Sequence, residues 1–311
     1  MTISIATSAM LGVLNMSVWE ARKQDRKVAD EVAAQKGARS KRAATVHKHL
    51  FSESPALEAI KSLRGEARQW FNQVTLPWDD NGRRLITTAQ YLSVTDQARK
   101  YEQRFNDLVR VFVGTYSTEI SKQAFEMGAL FDRSEYPPAD EVQHKFFFSL
   151  SVEPVPLAGD FRVDIGNEAA QELKDQYEKA LETRVAGAVQ NAWDRVRDQV
   201  NWIRERMTAV LEHDPDAVEE HKTFADDGSV KSVEIKKKRR PKLYDSMLDN
   251  GLELCTLLKD LNVTNDPRLE EARQQLEAAL SRVDMDSLKE SPELQTATKK
   301  AMDDILDKFA L

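Results

Sequence analysis

Cysteine is nearly missing from this sequence: Cys255 stands alone among 311 residues. One thiol excludes an internal disulfide and a Cys-rich zinc site, and it suits a reducing compartment. Glycine and proline are scarce too, at 11 and 10, which disfavours a sandwich or barrel built on many tight turns. No basic residue precedes Arg22, which argues against a secretory signal. No stretch reaches the roughly 18–20 uninterrupted apolar residues that a membrane-spanning helix needs. The expectation is a soluble intracellular protein with no membrane partner.

Familiar catalytic motifs are missing as well. No Gly-rich segment ends in Gly-Lys-Ser/Thr, and no G-x-G-x-x-G follows a strand. There is no Ser nucleophile elbow and no H-E-x-x-H. His213-Asp214-Pro215-Asp216 and Glu219-Glu220-His221 have the letters of an N/O metal site, and a charged linker explains the same letters. Asp79 with Asp80, or Asp303 with Asp304, fits acid–base work only in a pocket; among 52 acidic residues chance supplies many such pairs. Cys255 sits in a core phase without a neighbouring His, as a small buried hydrophobe does. No catalytic residue, metal ligand or cofactor is assigned.

What is present is charge, unevenly spread. The net charge is −7, yet Ala21–His49 holds nine Lys or Arg against three acids, and Lys236–Lys242 adds six more cations. Such a bipolar chain offers basic surface to a polyanion or to the acidic surface of a neighbour, and solvated helix faces are the plain alternative. Arg39, Lys41, Arg42 and Lys48, with His47 and His49, form one candidate nucleic-acid patch. Lys236, Lys237, Lys238, Arg239, Arg240 and Lys242 form the other. Each cation that meets a phosphate steepens the salt dependence of binding. Stacking aromatics have to come from elsewhere, with Trp70, Phe71 and Trp78 beside Arg83 and Arg84 as candidates and core packing as their alternative.

Helical periodicity dominates the rest. From Glu168 to Leu211 there is no Pro, and Leu173, Tyr177, Leu181, Val185, Ala188, Ala192, Val196, Val200, Ile203 and Met207 form one stripe. Asn167 is a candidate N-cap and Asp214-Pro215 the stop. A second long helix is expected over about Ser93–Phe131. Its stripe of Tyr91, Val94, Ala98, Tyr101, Phe105, Leu108 and Phe112 is spaced as heptads, interrupted at Gly114-Thr115.

Shorter elements complete the pass. Leu11–Trp19 reads as a strand or a first helical turn, and Glu20–Gln35 as a helix. Ser54-Pro55 opens a helix closed by Leu76-Pro77, followed by a turn at Asn81-Gly82. Lys145–Val152 and Phe161–Ile165 have strand character. Asp214–Lys242 is a charged linker with room for a hairpin, and helices are expected over Leu243–Leu261, Pro267–Arg282 and Pro292–Phe309.

The fold class these elements imply is mainly α. It is an elongated antiparallel, coiled-coil-like helical hairpin with a small β element at its tip and a C-terminal helical bundle. The segments are 1–75, 76–213, a linker at 214–242, and 243–311. Because one stripe keeps a seven-residue repeat and the other drifts, the hairpin is expected to need company. Tyr101, Phe105, Phe112, Leu181, Val185, Val196 and Ile203 are the candidate self-association residues, and a homo-oligomer is expected.

Several short stretches carry a resemblance. They are Met1-Thr2-Ile3-Ser4, Leu14–Trp19 with Ala21-Arg22-Lys23, Trp70–Arg84 around Leu76-Pro77-Trp78-Asp79-Asp80-Asn81-Gly82, Asp132–Pro137, and Gly159–Asp164. Together they resemble a bacteriophage and prophage family of about this length, catalogued as a domain of unknown function. The likeness covers most of residues 1–210 and carries no catalytic assignment. It implies a phage-encoded protein of the infected bacterial cytoplasm, encoded near DNA-metabolism or AAA+ ATPase genes, so that an AAA+ ATPase or another phage protein is a candidate partner. The functional expectation is a non-enzymatic, self-associating interaction protein. DNA binding in replication or recombination is the alternative, and a virion part or an inhibitor of host defence stays open.

Overall fold

The structure, a computed structural model, describes residues 5–40, 43–156, 167–224 and 230–311. The chain begins with α1 (Ile5–Ser8), β1 (Ala9–Ser17), β2 (Arg22–Gln24), α2 (Arg26–Gln35) and β3 (His47–His49). Then come α3 (Pro55–Val74), β4 (Leu76–Pro77), β5 (Arg84–Thr87), α4 (Tyr91–Glu126), α5 (Ala139–Gln143) and β6 (Phe147–Pro154). The remainder holds α6 (Asn167–Leu211), β7 (Val218–Phe224), β8 (Val230–Lys237), α7 (Ser246–Leu261), α8 (Pro267–Leu280), α9 (Met285–Glu290) and α10 (Pro292–Phe309). Residues group into two compact units: Met10–Thr75 with Asp79–Val155, and Met1–Ala9 with Leu76–Trp78 and Pro156–Leu311.

The expected mainly α architecture is overturned. Beside its helices the chain builds a four-stranded antiparallel sheet, ordered β4-β5-β1-β6, and two ribbons, β2-β3 and β7-β8, so the class is mixed α/β. β1 and β6 pair with Leu14 opposite Leu150 and Gly12 opposite Val152. The elongated hairpin is overturned with it, because α4 and α6 belong to different units and each packs on elements of its own unit. Helical spacing reports that a stripe will be buried; it does not name the element that buries it.

In the first unit α4 packs on α3, α5 and β6. Tyr101, Phe105, Phe112, Tyr116 and Ile120 of α4 meet Leu57, Ile60, Leu63 and Ala67 of α3 in one core. Aromatic rings fill its centre. Phe51 lies edge-on to Trp19, Phe112 and Tyr136, with ring centroids 5.9, 5.8 and 5.5 Å away, the geometry that ring quadrupoles favour. Ser54 caps α3, its Oγ accepting from the Leu57 amide at 3.4 Å, with Pro55 following. Helix α4 stops at Glu126, short of the expected Phe131, because Gly128 takes a φ of +52° and turns the chain.

One other expectation is revised. The helix expected over Glu20–Gln35 starts only at Arg26, where Asp25 Oδ1 accepts from the Val28 amide at 3.1 Å; Arg22–Gln24 instead pairs with β3. The second strand expected, Phe161–Ile165, lies outside the described residues. The turn at Asn81-Gly82 forms, with Gly82 at φ +84° and Asp79 accepting from the Asn81 and Arg83 amides at 3.0 and 3.1 Å.

In the second unit α6 packs on α7, α8 and α10. Its C-terminal stripe, Ala188, Ala192, Val196, Val200, Ile203 and Met207, is fully buried. Its earlier stripe, Leu173, Tyr177, Leu181 and Val185, is only half-buried. Helices α8 and α10 both open on Pro behind a capping residue, Asp266 and Ser291. Segment 214–242 holds the antiparallel ribbon of β7 and β8, with Val218 opposite Lys237 and Glu220 opposite Ile235.

Candidate polyanion-binding surface

Exposed cations matter for binding only when no carboxylate has already claimed them. By that measure the two basic segments differ. Lys48 sits on β3 with its side chain 10 % exposed. Its Nζ lies 2.6 Å from Glu135 Oε2 and 3.6 Å from Asp25 Oδ2, and donates to the Leu130 carbonyl at 2.9 Å. Burial disfavours its charge, but the Glu135 hydrogen bond and the two carboxylates outweigh that, and its pKa is raised. Lys48 is therefore a structural cation. Arg39 is exposed, and Lys41 and Arg42 lie outside the described residues.

The second segment behaves otherwise. β8 runs out at Lys237, the Lys238 amide still donates to the Ala217 carbonyl at 2.8 Å, and Pro241, which has no amide hydrogen to give a ladder, follows three residues further on. Lys236 is paired with Glu234 at 2.8 Å and Lys237 with Asp216 at 3.2 Å. Lys238, Arg239, Arg240 and Lys242 are all exposed, and among the described residues none of them makes an ion pair. Four mutually repelling charges left open on one short stretch favour any polyanion that relieves them.

Behind this stretch the surface is concave. Val210, Arg240, Pro241, Lys242, Leu243 and Lys289 line a hollow of ≈ 300 Å³. Leu243 is buried and anchors the segment, while Lys242 and Tyr244 on either side of it stay exposed. Lys289 of α9 is held by Asp245 at 2.8 Å and Asp286 at 3.5 Å; the Asp245 hydrogen bond raises its pKa, so it stays cationic. Arg206 of α6 places its guanidinium 5.7 Å from the centre of the Tyr244 ring, within cation–π reach.

Sequence reasoning missed Tyr244, Arg206 and Lys289. Tyr244 was legible as the one aromatic beside the basic run; Arg206 and Lys289 become neighbours only through folding. The aromatics suggested from sequence are consumed by packing. Phe71 and Trp78 are buried, and Trp70 lies half-buried against Tyr101 with centroids 5.2 Å apart. Arg83 pairs with Asp79 at 3.2 Å, and Arg84 donates to the Thr75 and Asn72 carbonyls at 3.0 and 3.1 Å.

The remaining candidates fall as follows. Tyr101, Phe105, Phe112, Val196 and Ile203 are buried inside their own units, whereas Leu181 and Val185 are half-buried. Among the described residues no three or more His, Cys, Asp or Glu side chains converge as metal ligands do. Asp303 pairs with Lys299 at 3.1 Å. No helix among the described residues is long and apolar enough to cross a membrane. Comparison with protein-family models, with curated proteins and with solved structures finds no match to this chain.

Proposed function

We propose that this chain is a non-enzymatic nucleic-acid-binding protein that grips phosphates with Lys238, Arg239, Arg240 and Lys242. One observation carries the reading: these four cations are exposed and unpaired among the described residues, on a stretch that also rims a concave surface. In the phage setting that the sequence resemblance implies, the partner is DNA undergoing replication or recombination, handled with AAA+ ATPase machinery.

Counterion release sets the expected signature. Each neutralised phosphate contributes roughly −0.7 to −0.9 to the slope of log affinity against log salt, so four contacts give a slope of roughly −3 to −4. Fluorescence anisotropy with a labelled oligonucleotide over a salt series measures it. Reversing the four cations to Glu removes binding while the thermal transition stays in place. Flat curves at low salt, or equal binding of polyglutamate or anionic vesicles, overturn the nucleic-acid reading.

A second reading, self-association, keeps support from one place. The Leu173, Tyr177, Leu181 and Val185 stripe of α6 is half-buried, where the stripe beyond Ala188 is closed over, so it retains apolar surface for a second copy's helix. Light scattering behind size exclusion is expected to give more than one chain per particle, and Leu181→Glu with Val185→Glu to give monomers. A monomeric native particle at micromolar concentration removes this reading.

A further inference from the structure

We infer that the nucleic acid is single-stranded, and that one unpaired base stacks on Tyr244. The inference rests on the phosphate-binding reading above and adds to it the chemistry of the bases. Tyr244 is 49 % exposed, two residues from the open cation of Lys242. Its ring is not loose. The Arg206 guanidinium lies 5.7 Å from its centre, and the Tyr244 carbonyl accepts from the Met247 amide at 2.9 Å where α7 begins. A half-exposed ring steadied by a cation loses little freedom when a second planar group lands on it.

The hollow lined by its chain neighbours Lys242 and Leu243 has the matching character. Val210, Pro241 and Leu243 give it apolar walls, and Arg240 and Lys242, unpaired among the described residues, give it a cationic rim. An apolar wall beside cations fits the ribose and phosphate that flank a stacked base. A duplex keeps its bases stacked on one another and offers this ring only phosphates, so a single strand gains a contact that a duplex cannot make. The aromatic and the cations come from one continuous stretch, Lys238–Tyr244, placed by the buried Leu243 and by α6.

The experiment compares single- and double-stranded oligonucleotides of equal length by anisotropy, using the full chain and its Tyr244→Ala, Tyr244→Phe and four-Glu variants. The single strand is expected to bind more tightly than the duplex. Tyr244→Ala is expected to weaken single-strand binding about tenfold, within the range of one lost base–aromatic stack, leaving the salt slope and duplex binding unchanged. Tyr244→Phe, which keeps a stacking ring, is expected to bind as the native chain does. A 2-aminopurine base in the strand is expected to be quenched on binding by the native chain and by Tyr244→Phe, and not by Tyr244→Ala.

Equal or tighter binding of the duplex overturns the inference. So does a Tyr244→Ala variant that binds single strands undiminished while the four-Glu variant does not; in both cases the phosphate grip survives. A native chain that binds neither the single strand nor the duplex removes both readings together.

Discussion

Lys48 and Lys238 are the same residue type in opposite surroundings, and the difference is where their charge goes. Lys48 is enclosed by Glu135, Asp25 and a carbonyl, so Lys48→Met leaves two largely buried carboxylates without their cation. We expect a loss on the order of 3 kcal/mol in a urea titration with unchanged nucleic-acid affinity, the inverse of the four-Glu variant. Alkaline pH probes the same region. Lys48 has a raised pKa, so its contribution is complete below the unfolded value of about 10.4 and is lost as pH climbs through the folded one. Burial pushes the phenols of Tyr116 and Tyr136 up to about 12. Each donates to a carbonyl, Pro137 at 2.9 Å and Leu50 at 2.6 Å. Unfolded tyrosines ionise from about pH 10, so the unfolded state sheds protons first and stability falls between about pH 10 and 12. Urea midpoints across that range check the sign, and Tyr136→Phe is expected to shrink the fall. Cys255, buried and pushed up to about 11, is expected to react with a thiol reagent only after denaturation.

At the scale of elements, helix starts and close approaches decide. Asp266 caps α8 by accepting from the Arg268 amide at 2.9 Å, and its other oxygen accepts from Trp193 Nε1 of α6 at 3.3 Å. Asp266→Ala therefore removes a cap worth about 1 kcal/mol and a tie between two helices, so a loss above that of an ordinary cap is expected in thermal unfolding. Ser291→Ala, which removes a cap without such a tie, is the control. Gly251 on α7 lies against Leu280 of α8, where an added Cβ collides with the Leu280 side-chain end. Gly251→Ala is expected to cost about 1–3 kcal/mol through overpacking, although alanine favours a helix. These starts were legible beforehand: Asp-Pro at 266–267 and Ser-Pro at 54–55 and 291–292 mark helices through local chemistry. The β2–β3 and β1–β6 pairings were not, because β1 and β6 meet across more than a hundred residues of intervening chain, and nothing local names a strand's partner.

At the scale of the whole molecule, the chain passes between its two units at 9–10, 75–76, 78–79 and 155–156. The helical unit therefore depends on residues far upstream: Leu76 and Trp78 are buried, and the Arg184 guanidinium lies 5.9 Å over the Trp78 ring. A fragment of residues 156–311 lacks them and is expected to unfold at lower denaturant than the same region in the full chain, read by hydrogen exchange of α6 amides. The negative total of the chain hides a short cationic stretch. Overall charge sets solubility and long-range repulsion, whereas affinity follows the local cations that folding leaves unpaired.

By itself the sequence determined which residues go inside, where most helices begin, and where positive charge gathers, because burial stripes, caps and charge runs are local properties of a chain. Tertiary structure decided which element covers each stripe, turning an expected hairpin into two units with sheets. It also decided which cations stay free, sealing Lys48 among carboxylates and setting Arg206 beneath Tyr244. Those outcomes depend on contacts between residues distant along the chain, and ion pairing and stacking act only across the few ångströms that folding brings together.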